Sequence, residues 1–292
     1  MNQSKAYPMS FLLLPLAVYI LFFLLPSLYS FYYSLTDWNT YTDRVRFVGL
    51  ANFAEIFAQG SDYWKYLNNT IVFALITTLL KNVLGLALAI WLNEGLKSVH
   101  VLRTIFYLPV TISPLIIGLI FSSVFDANQG LLNAFLGWLG LDDWTQAWLI
   151  DVRFAMASVI SVETWKYVGF NMIIYLAGLQ TISRSYYEAA SIDGAGIWGR
   201  FRRITLPLIM PAFTINLILN LINGFKVFDL IFVLTKGGPG NTTEVLNTAV
   251  FTEFSSGRYG TSTAFGVVLF LLTTVVALST LSLLTRRSEA EA

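Results

Sequence analysis

Six stretches of this chain are apolar over the length of a bilayer crossing, and that decides the solvent in which it can fold. They run Phe11 to Tyr33, Thr70 to Leu92, Thr104 to Phe125, Phe154 to Leu179, Leu208 to Val233 and Ala264 to Leu284. A helix rises 1.5 Å per residue, so about 20 residues cross roughly 30 Å of hydrocarbon. Hydrophobic residues fill 56% of 292 positions and charged residues 12%, about half the charge of a soluble domain. A water-soluble core cannot hide that much apolar surface. The expected fold is all-α: a polytopic membrane protein of six transmembrane helices, forming a single domain over residues 1–292. The first run is longer than a signal-peptide core and Lys5 is a thin basic region, so it is expected to remain as a helix.

Net charge is +1 and cysteine is absent, which leaves no global field to recruit nucleic acid and no disulfide or thiolate metal site. Lys and Arg in the flanking segments set orientation. With the N-terminus inside, the inner segments hold Lys5, Lys97, Arg103, Arg184, Arg200, Arg202, Arg203, Arg286 and Arg287. The outer ones hold Arg44, Arg46, Lys65, Arg153, Lys236 and Arg258. The excess favours both termini in the cytoplasm. Trp38, Tyr41, Tyr63, Trp64, Tyr66, Trp138, Trp144 and Trp148 all fall in outer segments, as rings at headgroup level do. Short amphipathic pieces at Leu131 to Leu139 and Val245 to Phe254 are expected on the same side.

Between the fourth and fifth runs lies an inner loop over 180–207, reading TISRSYYEAASIDGAGIWGRFRRITLP from Thr181. It is too long and too well patterned for a connector. Tyr186 to Asp193 has helical composition, Gly194 and Gly196 break it, and Ile197 to Ile204 can resume a helix before Pro207 and Pro211. Arg200, Arg202 and Arg203 then stand beside Glu188 and Asp193, and small Ala189 and Ala190 permit close approach of another surface. Such a charged knob suits docking rather than chemistry.

This loop resembles the EAA motif of ABC importer permeases. Glu188, Ala189 and Ala190 are followed after three residues by Gly194, and after nine more by Ile204, Leu206 and Pro207. Every defining position and both gaps match. FVGLANFAEIF, LPVTISPLIIGLIF and FDLIFVLTKGGPGNTTEVL are similar to the sugar permeases of this superfamily, the group with the maltose and glycerol-3-phosphate permease subunits, so the resemblance covers most of the chain. It implies the type I importer permease (MetI-like) fold. It also implies a loop that enters a cleft of a separate cytoplasmic ATPase and passes its closure to the helices. The partners implied are a second homologous permease completing a heterodimer, two ATP-binding subunits and an extracytoplasmic solute-binding protein, in a bacterial cytoplasmic membrane. The large outer insertion of the maltose permease's bigger subunit is missing, so its contacts do not carry over.

The chain supplies no engine. It has no GxxxxGK[ST] phosphate loop, and its one histidine, His100, rules out a HExxH zinc site. No cofactor is expected in this chain, ATP and magnesium binding instead to the partner ATPase, and no enzyme activity. An intramembrane enzyme would need a catalytic constellation not found in this sequence; a secondary transporter should show inverted repeats. A permease for another solute, an amino acid or a glycerol phosphate ester, is the nearest rival.

Polar groups within hydrocarbon are costly unless they face protein or water. Asn216, Asn220 and Asn223 recur at i, i+4 and i+7 in the fifth run, and amides suit sugar hydroxyls. Lys226 and Asp229 follow at helical spacing and could pair. In the fourth run Glu163, Tyr167 and Asn171 share a face, with Lys166 within reach of Glu163 and Trp165 pointing elsewhere. Either a substrate pathway or interhelical glue between permease subunits explains these polar stripes. Lys81, mid-way along the second run without a nearby acid, is expected to pair with Glu163 across helices.

Overall fold

The computed structural model describes residues 10–58, 62–93 and 98–290, with side chains for all of these except 10 and 285–290. Of the basic residues used for orientation, Lys5 and Lys97 lie outside the described residues, as do the side chains of Arg286 and Arg287. Every regular element among the described residues is helical, apart from one isolated antiparallel bridge, Thr36 to Phe47. These residues form two compact units. One holds the described residues up to Trp64 together with Ala249–Phe270, and the other holds Lys65–Thr248 and the described residues from Leu271 onward.

In the first unit, α1 (Ser10–Tyr19), a π turn at Ile20–Leu24 and α2 (Leu25–Tyr33) form one continuous apolar helix. Pro26 has no N–H to return to the preceding turn, and the helix widens just before it. None of its most apolar stretch is buried. After it the chain folds back over α3 (Ala51–Ile56), where the Asn52 amide donates to the carbonyls of Ser34 and Thr36 at 2.8 and 2.9 Å. The Gly260 N–H donates to the Trp38 carbonyl at 2.8 Å. A Cβ at Gly260 would stand 2.2 Å from the Thr36 carbonyl, so only glycine allows this approach.

The second unit carries two apolar cores. Phe73, Ile117, Val159, Val162 and Ile231 build one, and Ala89, Leu92, Met172, Tyr175 and Ala212 the other. Its helices are most of α4 (Asp62–Asn93), then α5 (Val99–Thr111), α6 (Pro114–Val124), α7 (Leu131–Trp138), α8 (Ala155–Gln180), α9 (Arg184–Ile192) and α10 (Ile197–Arg200). A π turn at Phe201–Thr205 leads to α11 (Leu206–Leu208), α12 (Met210–Phe225) and α13 (Asp229–Leu234). α14 (Leu246–Ser255) and α15 (Tyr259–Ala290) straddle both units. Backbones come close where a side chain is missing. A Cβ on Gly169 of α8 would strike the Phe106 carbonyl of α5 at 1.9 Å, and one on Gly224 of α12 would meet the Ala74 Cα of α4 at 2.8 Å. Small residues at such crossings let helices pack without a hydrophobic drive between them.

The expected spans are present with altered shapes. Phe11–Tyr33, Asp62–Asn93 and Tyr259–Leu284 are unbroken and apolar enough to cross a membrane. The third expected span, 104–125, is instead the bent pair α5 and α6, which turn by 97° at Ile112 and Ser113. Pro114 opens α6, where its missing N–H costs nothing, and the residue ahead of it is driven to extended backbone. The fifth, 208–233, is corrected at both ends: helix arrives from Ile197 and bends by 68° at Ile209, then stops at Phe225. The fourth, α8, has 26 residues, long enough to cross. Its Glu163, Thr164, Lys166 and Asn171, all buried, make it less apolar than a lipid-facing span.

Candidate functional site

α8 puts its polar residues on the side facing α4, α5 and α12, where most meet a partner and the Thr164 hydroxyl is buried without one. The Lys81 ammonium lies 3.1 Å from the Glu163 carboxylate, with 1% and 6% of the two side chains exposed. A buried pair of this kind holds because each charge is compensated by the other; removing one leaves the other stranded. Asn171 and Asn220 exchange amide hydrogen bonds between α8 and α12. The Asn216 amide donates to the Asn171 carbonyl at 3.2 Å, and its own Oδ1 is buried without a partner. Asn216 and Asn220 therefore join two helices of this same chain, whereas Asn223 of the same stripe is exposed. Trp165 points away, 45% exposed and against Phe121.

Lys166 departs from expectation. Its ammonium turns from Glu163 to the carbonyls of Pro109 at 3.1 Å, Val110 at 3.3 Å and Ile112. These oxygens lie where α5 ends, the Pro109 carbonyl also accepting the Ile112 N–H at 3.3 Å, and a cation is the group that such a helix end favours. The Tyr167 ring faces both ammonium groups, with Lys81 at 5.4 Å and Lys166 at 4.9 Å from its centre, within cation–π range. Sequence spacing could not reveal this role of Lys166.

Beside this cluster is a cavity of about 220 Å³, lined by Lys81, Glu163, Tyr167, Asn220, Asn223, Lys226 and Asp229, with Pro114, Phe170 and Phe228. Lys226 and Asp229 do not form the expected pair. Helical phase ends at Phe225 and restarts at Asp229, so the i, i+3 relation is lost, and both side chains are exposed toward the cavity. Two lysines and two carboxylates thus meet amides and aromatic rings around one space. That combination can accept and donate hydrogen bonds to a polar, uncharged ligand while offering ring faces for stacking.

The second site residue set forms a hairpin. Ser183 caps α9 through its hydroxyl, and α9 carries Glu188, Ala189 and Ala190. Asp193 ends the helix and Gly194 takes φ +76°, the left-handed conformation that glycine adopts at a helix C-terminus. α10 then returns. The Tyr187 and Thr205 hydroxyls are 3.0 Å apart and the Arg200 guanidinium donates to the Ser191 hydroxyl at 3.2 Å, closing the hairpin. Ile204, Leu206 and Pro207 follow, the proline opening α11. Ile192, Ile197 and Trp198 are 87%, 82% and 71% exposed at the tip, and Glu188 and Asp193 are exposed beside them.

Outside the helices, two carboxylates are tuned by their neighbours. The N–H groups of Gln129 and Asn128 hold Asp126 below the usual carboxylate range. The Arg153 guanidinium, bonded at 2.6 Å, brings Asp151 down to about 2.

A helical membrane component with buried polar side chains and exposed apolar residues on a hairpin falls here in a class of transport subunits rather than enzymes. Residues 81–289 match the model of the binding-protein-dependent transport system inner membrane components, and the chain belongs to that family. It is 36% identical over 275 residues to the probable starch degradation products transport system permease protein AmyD of Thermoanaerobacterium thermosulfurigenes, covering 93% of this chain and 91% of that one. It is 35% identical over 262 residues to the trehalose/maltose transport system permease protein MalF of Thermococcus litoralis, covering 89% and 88%. Its fold is similar to a chain of a bacterial alginate ABC transporter solved in complex with an alginate pentasaccharide-bound periplasmic protein. The TM-score there is 0.82, with 27% identity over 96% of this chain and 94% of that one.

Proposed function

We propose that this chain is one permease subunit of an ABC importer that moves a sugar or oligosaccharide across the cytoplasmic membrane. Residues 1–292 act as one transmembrane domain, with both termini cytoplasmic and the hairpin over 180–207 as the coupling loop. The observation that carries this reading is the hairpin itself: three large apolar side chains stand exposed around Gly194 beside the exposed acids Glu188 and Asp193, as a surface made for another protein does. That partner is a pair of ATP-binding subunits, where ATP and magnesium bind. A second, homologous permease completes the pathway, and an extracytoplasmic solute-binding protein delivers the sugar. The saccharide names of its relatives and the amide- and ring-lined cavity support the substrate class.

The cycle is alternating access. Closure of the ATPase dimer moves the docked hairpin, α11 and α12 carry that motion from Pro207 toward Asn220, and the cavity opens to the binding protein. Hydrolysis reverses it. Nucleotide shifts the equilibrium only through its different affinity for the two states. In the reconstituted assembly, ATP hydrolysis should rise when the loaded binding protein and a saccharide such as maltose or trehalose are added. Stimulation by an amino acid or a phosphate ester instead would overturn the sugar assignment. Introduced cysteines near Glu188 have no background in a chain that contains none; failure to cross-link them to an ATP-hydrolysing neighbour would overturn the importer reading.

A further inference from the structure

We infer that Lys166 is a positioning residue for transport: its buried ammonium pins the break between α5 and α6, and so sets the wall of the cavity that the proposed sugar crosses. The inference rests on that proposed function for its transport consequence, but not for its geometry.

The break is sharp. α5 ends at Thr111, Ile112 is extended, and α6 leaves at 97° from Pro114. Pro109 and Pro114 deny two N–H groups to the helix, which makes a break possible, yet proline kinks in most helices are far shallower than a right angle. Something must compensate for carbonyls that lose their helical donors inside a low-dielectric interior. The Lys166 ammonium has three protons and meets three oxygens at the break, those of Val110 and Ile112 and that of Pro109, which also accepts the Ile112 N–H at 3.3 Å. Lys166 is 1% exposed, and Glu163, the acid one turn away, is engaged by Lys81. The pin reaches the pathway by a short route. Pro114, the first residue after the break, lines the cavity together with Tyr167, the residue after Lys166. If the break opens, Pro114 and the start of α6 leave the cavity wall.

Geometry and transport can be read separately. Spin labels at Val101→Cys and Leu119→Cys, both exposed, report the bend in the detergent-solubilised assembly. Eighteen residues of unbroken helix span roughly 27 Å, and a right-angle bend shortens that by several ångström. Lys166→Met is expected to lengthen or broaden the distance distribution and to reduce maltose uptake by proteoliposomes at least tenfold, with the assembly still intact on a sizing column. Lys166→Arg, which keeps the charge and the donors, should retain the short distance and most of the uptake. An unchanged distance in Lys166→Met overturns the pin, and wild-type uptake in that variant overturns its role in transport. If Lys166→Met does not assemble, Lys166→Gln takes its place; equal failure of Lys166→Arg and Lys166→Gln overturns the inference too, because donors would then not matter. Should the unsubstituted assembly take up an amino acid or a phosphate ester and no saccharide, the sugar reading fails while the distance measurement still decides the pin.

Discussion

The buried cluster on α8 and the exposed hairpin after it use the same residue types to opposite ends. In the cluster, Glu163 has Lys81 at 3.1 Å and Lys166 has three carbonyls. On the hairpin, Glu188 and Asp193 are exposed, and no ion pair holds them among the described residues. Charge that is buried must be matched within the chain, since desolvation costs several kcal/mol per ion. Charge left in water costs little and stays available to another molecule. The difference separates what this chain settles for itself from what it leaves to a partner.

The comparison breaks first at Glu163. Glu163→Gln should strand the Lys81 ammonium and cost about 3–5 kcal/mol, read as a large loss of folded protein or a lower unfolding temperature in detergent. Exchange of the two charges, Lys81→Glu with Glu163→Lys, should recover much of that loss. If the double exchange is no better than either single change, the pair does not act as a unit.

Gly194 tests the hairpin. A Cβ there meets nothing within 4 Å, so Gly194→Ala carries only the backbone cost of a left-handed residue, about 1 kcal/mol, and should keep most coupling. Gly194→Trp adds bulk to the tip without filling any space of this chain. It should cut substrate-stimulated ATP hydrolysis severely while yield and span insertion are retained. Equal behaviour of the two variants would mean that the tip docks on nothing.

A third pairing, exposed yet matched, gives the smallest effect. Asp151 is held at about 2 against an ordinary 3.8. A depressed carboxyl stabilises the fold fully above its ordinary value, and that contribution disappears as pH falls through about 2. Asp151→Asn should therefore narrow the difference in stability between pH 5 and pH 2 only slightly, because an exposed pair gains little in water. A large change in an acid titration of thermal unfolding would show that this pair is more than a surface contact.

The hairpin was legible in the sequence because every signal in it is local. Ser183 caps and Gly194 turns within one run of the chain. Lys81 with Glu163 was legible because two opposite charges in hydrocarbon have few other choices. The right-angle break was not, since the group that stabilises it lies 57 positions from Pro109. Nor was the separation of Lys226 from Asp229, which depends on the helix stopping at Phe225 rather than on the spacing of the two residues.

The bare helix from Phe11 to Tyr33 has a consequence for biogenesis. With none of its most apolar stretch shielded by the rest of this chain, its depth in the bilayer is governed by partition at the translocon more than by packing against its own chain. An aspartate at its centre, near Leu21, meets a penalty of about 2.5–3.5 kcal/mol at that step. Defects there will show as chains that never enter the membrane, whereas defects in α8 will show as chains that enter and then fail to hold their shape.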